Sequence, residues 1–271
     1  MTAFAVLATV ILPHYSGAQE ASVQHESCGK KPGQSEAVAP WQNEPGNAVA
    51  DLLDDAGSVN RLVSDDNDDE FFDDLVDRQE KSVLDKAYPL MTATWPDSKI
   101  FVCWEQVDDA FAQQRALVRK AIKDTWEANS ALEFLGWDKC NDNSSGIRIA
   151  VKDEGPHVKC LGQYVDGIRD GMVLNFTYDN FAVGCKVSRA YCNRVIAVHE
   201  FGHAIGFAHE QNRPDTAGEC NRLKQGTDGD NISLTPWDKD SVMNYCNPTY
   251  NNDGVLSADD ILAVQFIYGE G

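Results

Sequence analysis

The chain has 271 residues, and 43 Asp and Glu against 23 Lys and Arg leave a formal net charge of −20. That length holds one well-cored domain with a smaller appendage, whereas two full domains would be cramped. The acidic balance excludes a phosphate-binding surface, since nucleic-acid partners need clustered Lys and Arg, and it suits a soluble protein that repels acidic surfaces.

The first element is an apolar run from Ala3 to Pro13, too short to cross a bilayer. Small residues follow at Ser16-Gly17-Ala18, the usual cleavage positions, so residues 1–18 read as a secretory signal peptide, although no Lys or Arg precedes the run. The protein is therefore expected outside the cell, with no membrane span, because no other stretch approaches a transmembrane segment. Eight cysteines in an exported chain read as disulfides, and none forms a CxxC pair. Connectivity is not readable.

Residues 19–86 are polar, with Pro32, Gly33, Pro40, Pro45 and Gly46 early and an acidic block from Asp65 to Asp77 later. Such a composition buries little apolar surface by itself. Phe71, Phe72, Leu75 and Val76 form an apolar handle within it.

The composition changes at about Ala87, where the main domain, 87–271, is expected to begin. Lys99 to Trp104 is β-rich and reads as the first strand. Val107, Phe111, Val118, Ile122 and Trp126 then recur at helical spacing, which predicts one long helix from Asp108 to about Asn129. Ile147, Ile149 and Val151 alternate with Arg148, Ala150 and Lys152, as in a strand with one buried face. A further strand is expected over Gly171–Thr177, with a short strand or loop between Cys160 and Gly167. Asn143-Ser-Ser, Asn175-Phe-Thr and Asn231-Ile-Ser match the glycosylation pattern.

The informative stretch comes next. Val198-His199-Glu200-Phe201-Gly202-His203-Ala204-Ile205-Gly206-Phe207-Ala208-His209 reads HExxHxxGxxH without a mismatch, on a helix predicted to begin near Ser188. Positions i and i+4 share a helix face, so His199 and His203 can present two imidazole nitrogens to one point. Gly206, free to adopt a positive φ, can end the helix, and His209 can swing back as a third ligand. Three nitrogens leave the fourth tetrahedral position of one Zn²⁺ open, the mark of a catalytic rather than a closed site. Zinc acidifies a bound water towards a pKa of about 7, and Glu200 is placed to take its proton.

Downstream, Asn212 to Asp240 is rich in Gly, Pro, Asp and Asn and reads as irregular loop, with Cys220 and Cys246 as candidates for a bond that braces it. Ser241-Val242-Met243-Asn244-Tyr245 follows. Ser257 and Asp260 form a capping-box pair for a last helix, with Ile261, Leu262, Val264, Phe266 and Ile267 as its buried surface and Gly269 as its stop.

The zinc motif, Glu210 after the third histidine and the Ser-Val-Met-Asn-Tyr turn resemble the astacin branch of the metzincin metallopeptidases, while Leu256 to Gly269 is similar to the last helix of the matrixin branch. The resemblance implies an α+β, zincin-like fold: a twisted mixed sheet, two long helices, and an irregular C-terminal half with a Met-turn and terminal helix. It implies a secreted zinc endopeptidase acting as a monomer on proteins or peptides. Met243 would floor the zinc, Tyr245 would stabilise the oxyanion as a second catalytic group beside Glu200, and Glu210 would anchor the new N-terminus after processing.

Residues 19–86 then read as a pro-segment that keeps the zymogen latent. Cys28, next to Gly29, Lys30 and Lys31, is a candidate thiolate ligand blocking the zinc, with a disulfide to the main domain or a carboxylate of the acidic block as alternatives. The astacin pro-segment's Phe-x-Gly-Asp blocking pattern is absent. A catalytically silent domain serving as an adhesin or binding module is the alternative, but it predicts loss of Glu200 or a ligand, and all are intact.

Overall fold

A computed structural model describes residues 89–224 and 235–271. The signal peptide, the acidic segment with Cys28, and the Asn231 pattern lie outside the described residues.

Five strands form one sheet: β1 Lys99–Trp104, β2 Glu133–Lys139, β3 Ile147–Val151, β4 His157–Val158 and β5 Met172–Leu174, in the order β2-β1-β3-β5-β4. β1 pairs in parallel with β2 and β3, β3 pairs in parallel with β5, and β4 alone runs antiparallel, on β5. Parallel neighbours need crossovers, and helix α1, Ala112–Asp124, supplies the one from β1 to β2. In β1, Ile100, Val102 and Trp104 are buried while Phe101 is exposed, as the strand period of two requires. The mixed sheet with two helices of 13 and 16 residues, α1 and α2 (Arg189–Ala204), is the expected α+β architecture.

No sequence signal marks β2, because its pattern is broken by a bulge. Val102 pairs with Gly136 and Cys103 with Asp138, so Trp137 is the extra residue, at φ 72. The bulge re-aims its indole to stack on Phe201 at 5.7 Å, instead of continuing the alternation.

Four expectations need correction. The predicted helix 108–129 is one α-helix flanked by short turns at Asp109–Phe111 and Glu127–Asn129. It stops at Thr125, whose hydroxyl donates back to Ala121 O at 2.7 Å, and Val107 stays exposed. β3 is buried on both faces, because Arg148 is neutralised inside: its guanidinium meets Glu105 at 2.8 Å. The terminal helix α3, Ala258–Tyr268, carries the predicted capping box, yet its buried side is Asp260, Ala263, Val264 and Tyr268, with Leu262 and Phe266 exposed.

The strand expected over 171–177 is short, because Asn175 leaves the ladder. Its amide donates to Asp153 at 3.0 Å, and its own oxygen accepts from the N–H of Thr177 and Tyr178. Asn175 is therefore buried and engaged, whereas Asn143 is exposed. Between Cys160 and Gly167 lies a turn, Gly162–Val165, where Gly162 adopts φ 51 and any Cβ would strike Ala93 O.

Disulfides join Cys103 to Cys140, Cys185 to Cys192 and Cys220 to Cys246, and Cys160 is disulfide-bonded as well. No helix among the described residues is long and apolar enough to cross a membrane.

Candidate metal centre

The centre is assembled where α2 ends. Val195, Ile196, Ala197, Val198, Phe201 and Ala204 sink this helix into the core, and His199 and His203, one turn apart, are 1% and 7% exposed. The helix closes in a Schellman motif: Phe207 N–H donates to Gly202 O at 2.9 Å and Gly206 N–H to His203 O at 3.0 Å, with Gly206 at φ 107. A side chain at Gly206 would be strained in that conformation. The reversed chain carries Phe207 O to within 2.7 Å of His203 Nδ1 and then delivers His209.

Those second contacts decide the tautomers. A carbonyl oxygen only accepts, so His203 Nδ1–H donates to Phe207 O and His199 Nδ1–H donates to Val242 O at 2.8 Å. Each neutral ring then turns a bare Nε2 lone pair inward. His209 Nε2 lies 3.2 Å from His199 Nε2 and 3.1 Å from His203 Nε2. Burial, reinforced by its two imidazole neighbours, holds His199 well below the ordinary histidine value, and therefore neutral.

The unprotonated nitrogens of His199 and His203 and His209 Nε2 are directed at one point, an arrangement that suits a shared cation. A tetrahedral zinc with bonds of about 2.0 Å places its ligand nitrogens about 3.3 Å apart, so donor type, spacing and tautomer all fit that ion. Among the described residues this is the one group of three or more His, Cys, Asp or Glu side chains disposed to hold a metal.

The predicted accompanying residues gather here too. Glu200 is buried beside His199 in the sequence of the same helix. Tyr245 Oη stands 3.1 Å from His199 Nε2, and its ring centroid is 5.0 Å from that of His199 and 4.7 Å from that of His209. Met243 is buried beneath α2: a Cβ on Gly202 would lie 2.3 Å from its sulfur and 3.2 Å from the Trp126 ring. Gly202, within the motif but outside its defining positions, is thus required by close packing.

Glu210 N–H donates to Met243 O at 3.0 Å, which ties the segment after His209 to the Met-turn. Its carboxylate is held by Arg213 at 3.3 Å and by the Asp238 N–H at 2.9 Å. Burial pushes this carboxyl up to about 8, against the opposing pull of Arg213. Sequence reasoning missed three supports. Gln211 Oε1 accepts from Tyr245 N–H at 3.0 Å, Trp126 Nε1–H donates to Val198 O at 2.9 Å, and Asp260 reaches the Met-turn. Only the capping-box signal singled out one of these, and it named a different task.

The family model for Astacin, a peptidase family, matches residues 88–262, a span that holds all three histidines, Glu200 and Tyr245. The chain belongs to the astacin family. This is a family of zinc metalloendopeptidases, and the described residues form the corresponding α+β metzincin domain. Bone morphogenetic protein 1 of Xenopus laevis is 27% identical over 193 residues, which are 63% of this astacin and 24% of that protein. The chain therefore spans about a quarter of that relative's length. Among solved structures, myroilysin is similar with a TM-score of 0.50 at 18% identity, covering 68% of this chain and 100% of its own, a likeness of fold. High choriolytic enzyme 1, a hatching enzyme zinc-protease of the medaka Oryzias latipes, aligns with a TM-score of 0.44 at 17% identity, over 67% of this chain and 97% of that one.

Proposed function

We propose that this astacin is a secreted endopeptidase, made latent, that cleaves internal bonds of extended protein or peptide segments. The observation that carries the reading is the convergence of three buried imidazole nitrogens with two tautomers set by backbone carbonyls. His199, His203 and His209 would hold one zinc. When bound there, zinc acidifies water and polarises a carbonyl.

The chain's own groups do the rest. Glu200 accepts a proton from the attacking water at its carboxylate and returns it to the leaving amine nitrogen. The Tyr245 phenol donates a hydrogen bond to the oxyanion, as its place beside His199 allows. β4, last in the sheet order, offers a strand edge to which an extended substrate can add.

Secretion is supported by the apolar leader of residues 1–18 and by the disulfides. Latency is assigned to residues 19–86. For Cys28, cysteine arithmetic favours a covalent tether over a zinc thiolate. Six cysteines pair among themselves, Cys160 is disulfide-bonded, and Cys28 is the remaining cysteine of the eight. A peptide map without reductant should contain the linked Cys28 and Cys160 peptides; a free Cys28 thiol would return the zinc-blocking role to contention.

The central test is casein hydrolysis by the processed protein beside Glu200→Gln, with zinc measured on both. Cleavage by the parent alone, with about one zinc on each, is the expected result. Two zinc-loaded proteins that both fail to cleave would overturn the peptidase reading.

A further inference from the structure

The capping box of α3 does more than begin a helix. Ser257 Oγ accepts from Asp260 N–H at 2.9 Å, and Asp260 Oδ2 accepts from Ser257 N–H at 3.0 Å. An ordinary capping carboxylate leaves its other lone pairs to water, but Asp260 is 6% exposed. Those lone pairs are taken by the Met-turn instead: Ser241 Oγ–H donates to Oδ1 at 2.7 Å and Val242 N–H donates to Oδ2 at 2.9 Å. Val242 is also the residue whose carbonyl accepts from His199 Nδ1–H at 2.8 Å.

We infer that Asp260 is a positioning residue for the metal centre, acting through Val242 to fix the ring plane and tautomer of His199. This rests on the reading of His199 as a zinc ligand. A carboxylate with both oxygens committed to donors on a second segment locks that segment's backbone, and charge-assisted bonds in a buried setting are the strong ones. The next peptide, Val242–Met243, is tied to the same carboxylate through Ser241, whose Oγ accepts from Met243 N–H at 3.0 Å, and its carbonyl is the acceptor that keeps the proton on His199 Nδ1 and leaves Nε2 unprotonated for metal. Capping alone requires neither the burial of Asp260 nor its contacts with Ser241 and Val242. The link joins the last helix to the metal helix across the fold, and helix periodicity cannot reveal it.

The test uses the processed protein and four variants, Asp260→Ala, Asp260→Asn, Ser257→Ala and Ser241→Ala, with His199→Ala as reference. Zinc affinity, the absorption spectrum of the cobalt(II)-substituted protein, kcat and KM are measured for each. Asp260→Ala should bind zinc about 10- to 100-fold more weakly, the usual cost of losing a group that orients a ligand. Its cobalt spectrum should shift, and kcat should fall while KM holds, because substrate contacts are untouched. Asp260→Asn keeps one acceptor oxygen and should fall between parent and alanine variant. Ser257→Ala removes only the cap hydroxyl, so its Tm should drop while spectrum and zinc affinity match the parent.

An Asp260→Ala protein that loses Tm yet keeps the parental spectrum and zinc affinity would reduce Asp260 to a helix cap and overturn the inference. Should that variant not fold, Asp260→Asn and Ser241→Ala decide: several-fold weaker zinc binding supports the inference, and parental binding by both overturns it. If His199→Ala binds zinc like the parent, the ligand reading itself fails, and that outcome is visible before any Asp260 variant is compared.

Discussion

From Lys99 to Ala204 the chain folds by regular ladders and apolar burial, with Ile100, Val118, Ile122, Ile147, Phe176 and Val198 at 0 to 1% exposure. From Phe207 to Leu256 the described residues form only short turns, and many of the buried ones are polar: Glu210, Gln211, Asn212, Arg213, Ser241, Asn244 and Asn251. Backbone groups that lack a helix or sheet partner must bond elsewhere, and in this second region side chains take them. Gln211 accepts from Tyr245 N–H, and Asn244 donates to Asp238 O. The metal centre straddles both regimes. His199, Glu200 and His203 come from the buried helix, whereas His209 and Tyr245 come from the segment held by polar clamps.

The comparison can be broken at several points. The largest effect is expected at the chemistry: Glu200→Gln should lower kcat by about 10³-fold, within the range for a lost general base, while zinc content stays at the parental level. Tyr245→Phe should cost about 10²-fold in kcat with little change in KM, as for one lost oxyanion donor. Removing the metal with a chelator should abolish hydrolysis and zinc should restore it, read by activity and metal analysis.

Two substitutions compare the regions by stability. Arg213→Ala removes a buried guanidinium that bonds Glu210, Asp215 and Thr235 O, and should cost about 3 kcal/mol. Hydrogen exchange should rise first after Phe207, with the β1–β3 amides still protected. Protection lost evenly across both regions would show that they unfold as one unit.

In the regular half, Glu105→Gln breaks the pair with Arg148, whose side chains are 7% and 4% exposed, at a cost of about 3 kcal/mol. The Arg148 hydrogen bond holds the Glu105 carboxyl below its ordinary 4.5. The folded state therefore binds this proton less readily than the unfolded one, and the pair's contribution is complete above pH 4.5 and lost as pH falls through the depressed value. Denaturant titrations should show the gap between parent and Glu105→Gln constant above that pH and narrowing below it. The smallest effect is Ser257→Ala, about 1 kcal/mol for a lost N-cap.

Legibility follows locality. The first strand is readable to the residue over Lys99–Trp104, and the α3 cap from Ser257 and Asp260, because each signal lies within a few neighbouring positions. The apolar spacing overstates α1, since it runs on to Trp126 where Thr125 bonds back to the helix backbone. β2 escapes the pattern because Gly136 and Trp137, at φ 88 and 72, break its alternation. Arg148 looks solvent-facing in the sequence because its partner Glu105 is 43 positions away.

By itself the sequence determined the family's zinc motif: His199, Glu200 and His203 owe their shared register to a helix pitch that depends only on spacing, and Gly206 to a conformation that other residues avoid. Which nitrogen of His199 and of His203 faces the candidate metal position was decided only by tertiary structure, because the acceptor for His199 is a backbone carbonyl 43 residues on, in the turn that Asp260 bonds. A carbonyl has no side-chain signature, so no pattern of residue types marks the one that a histidine will find.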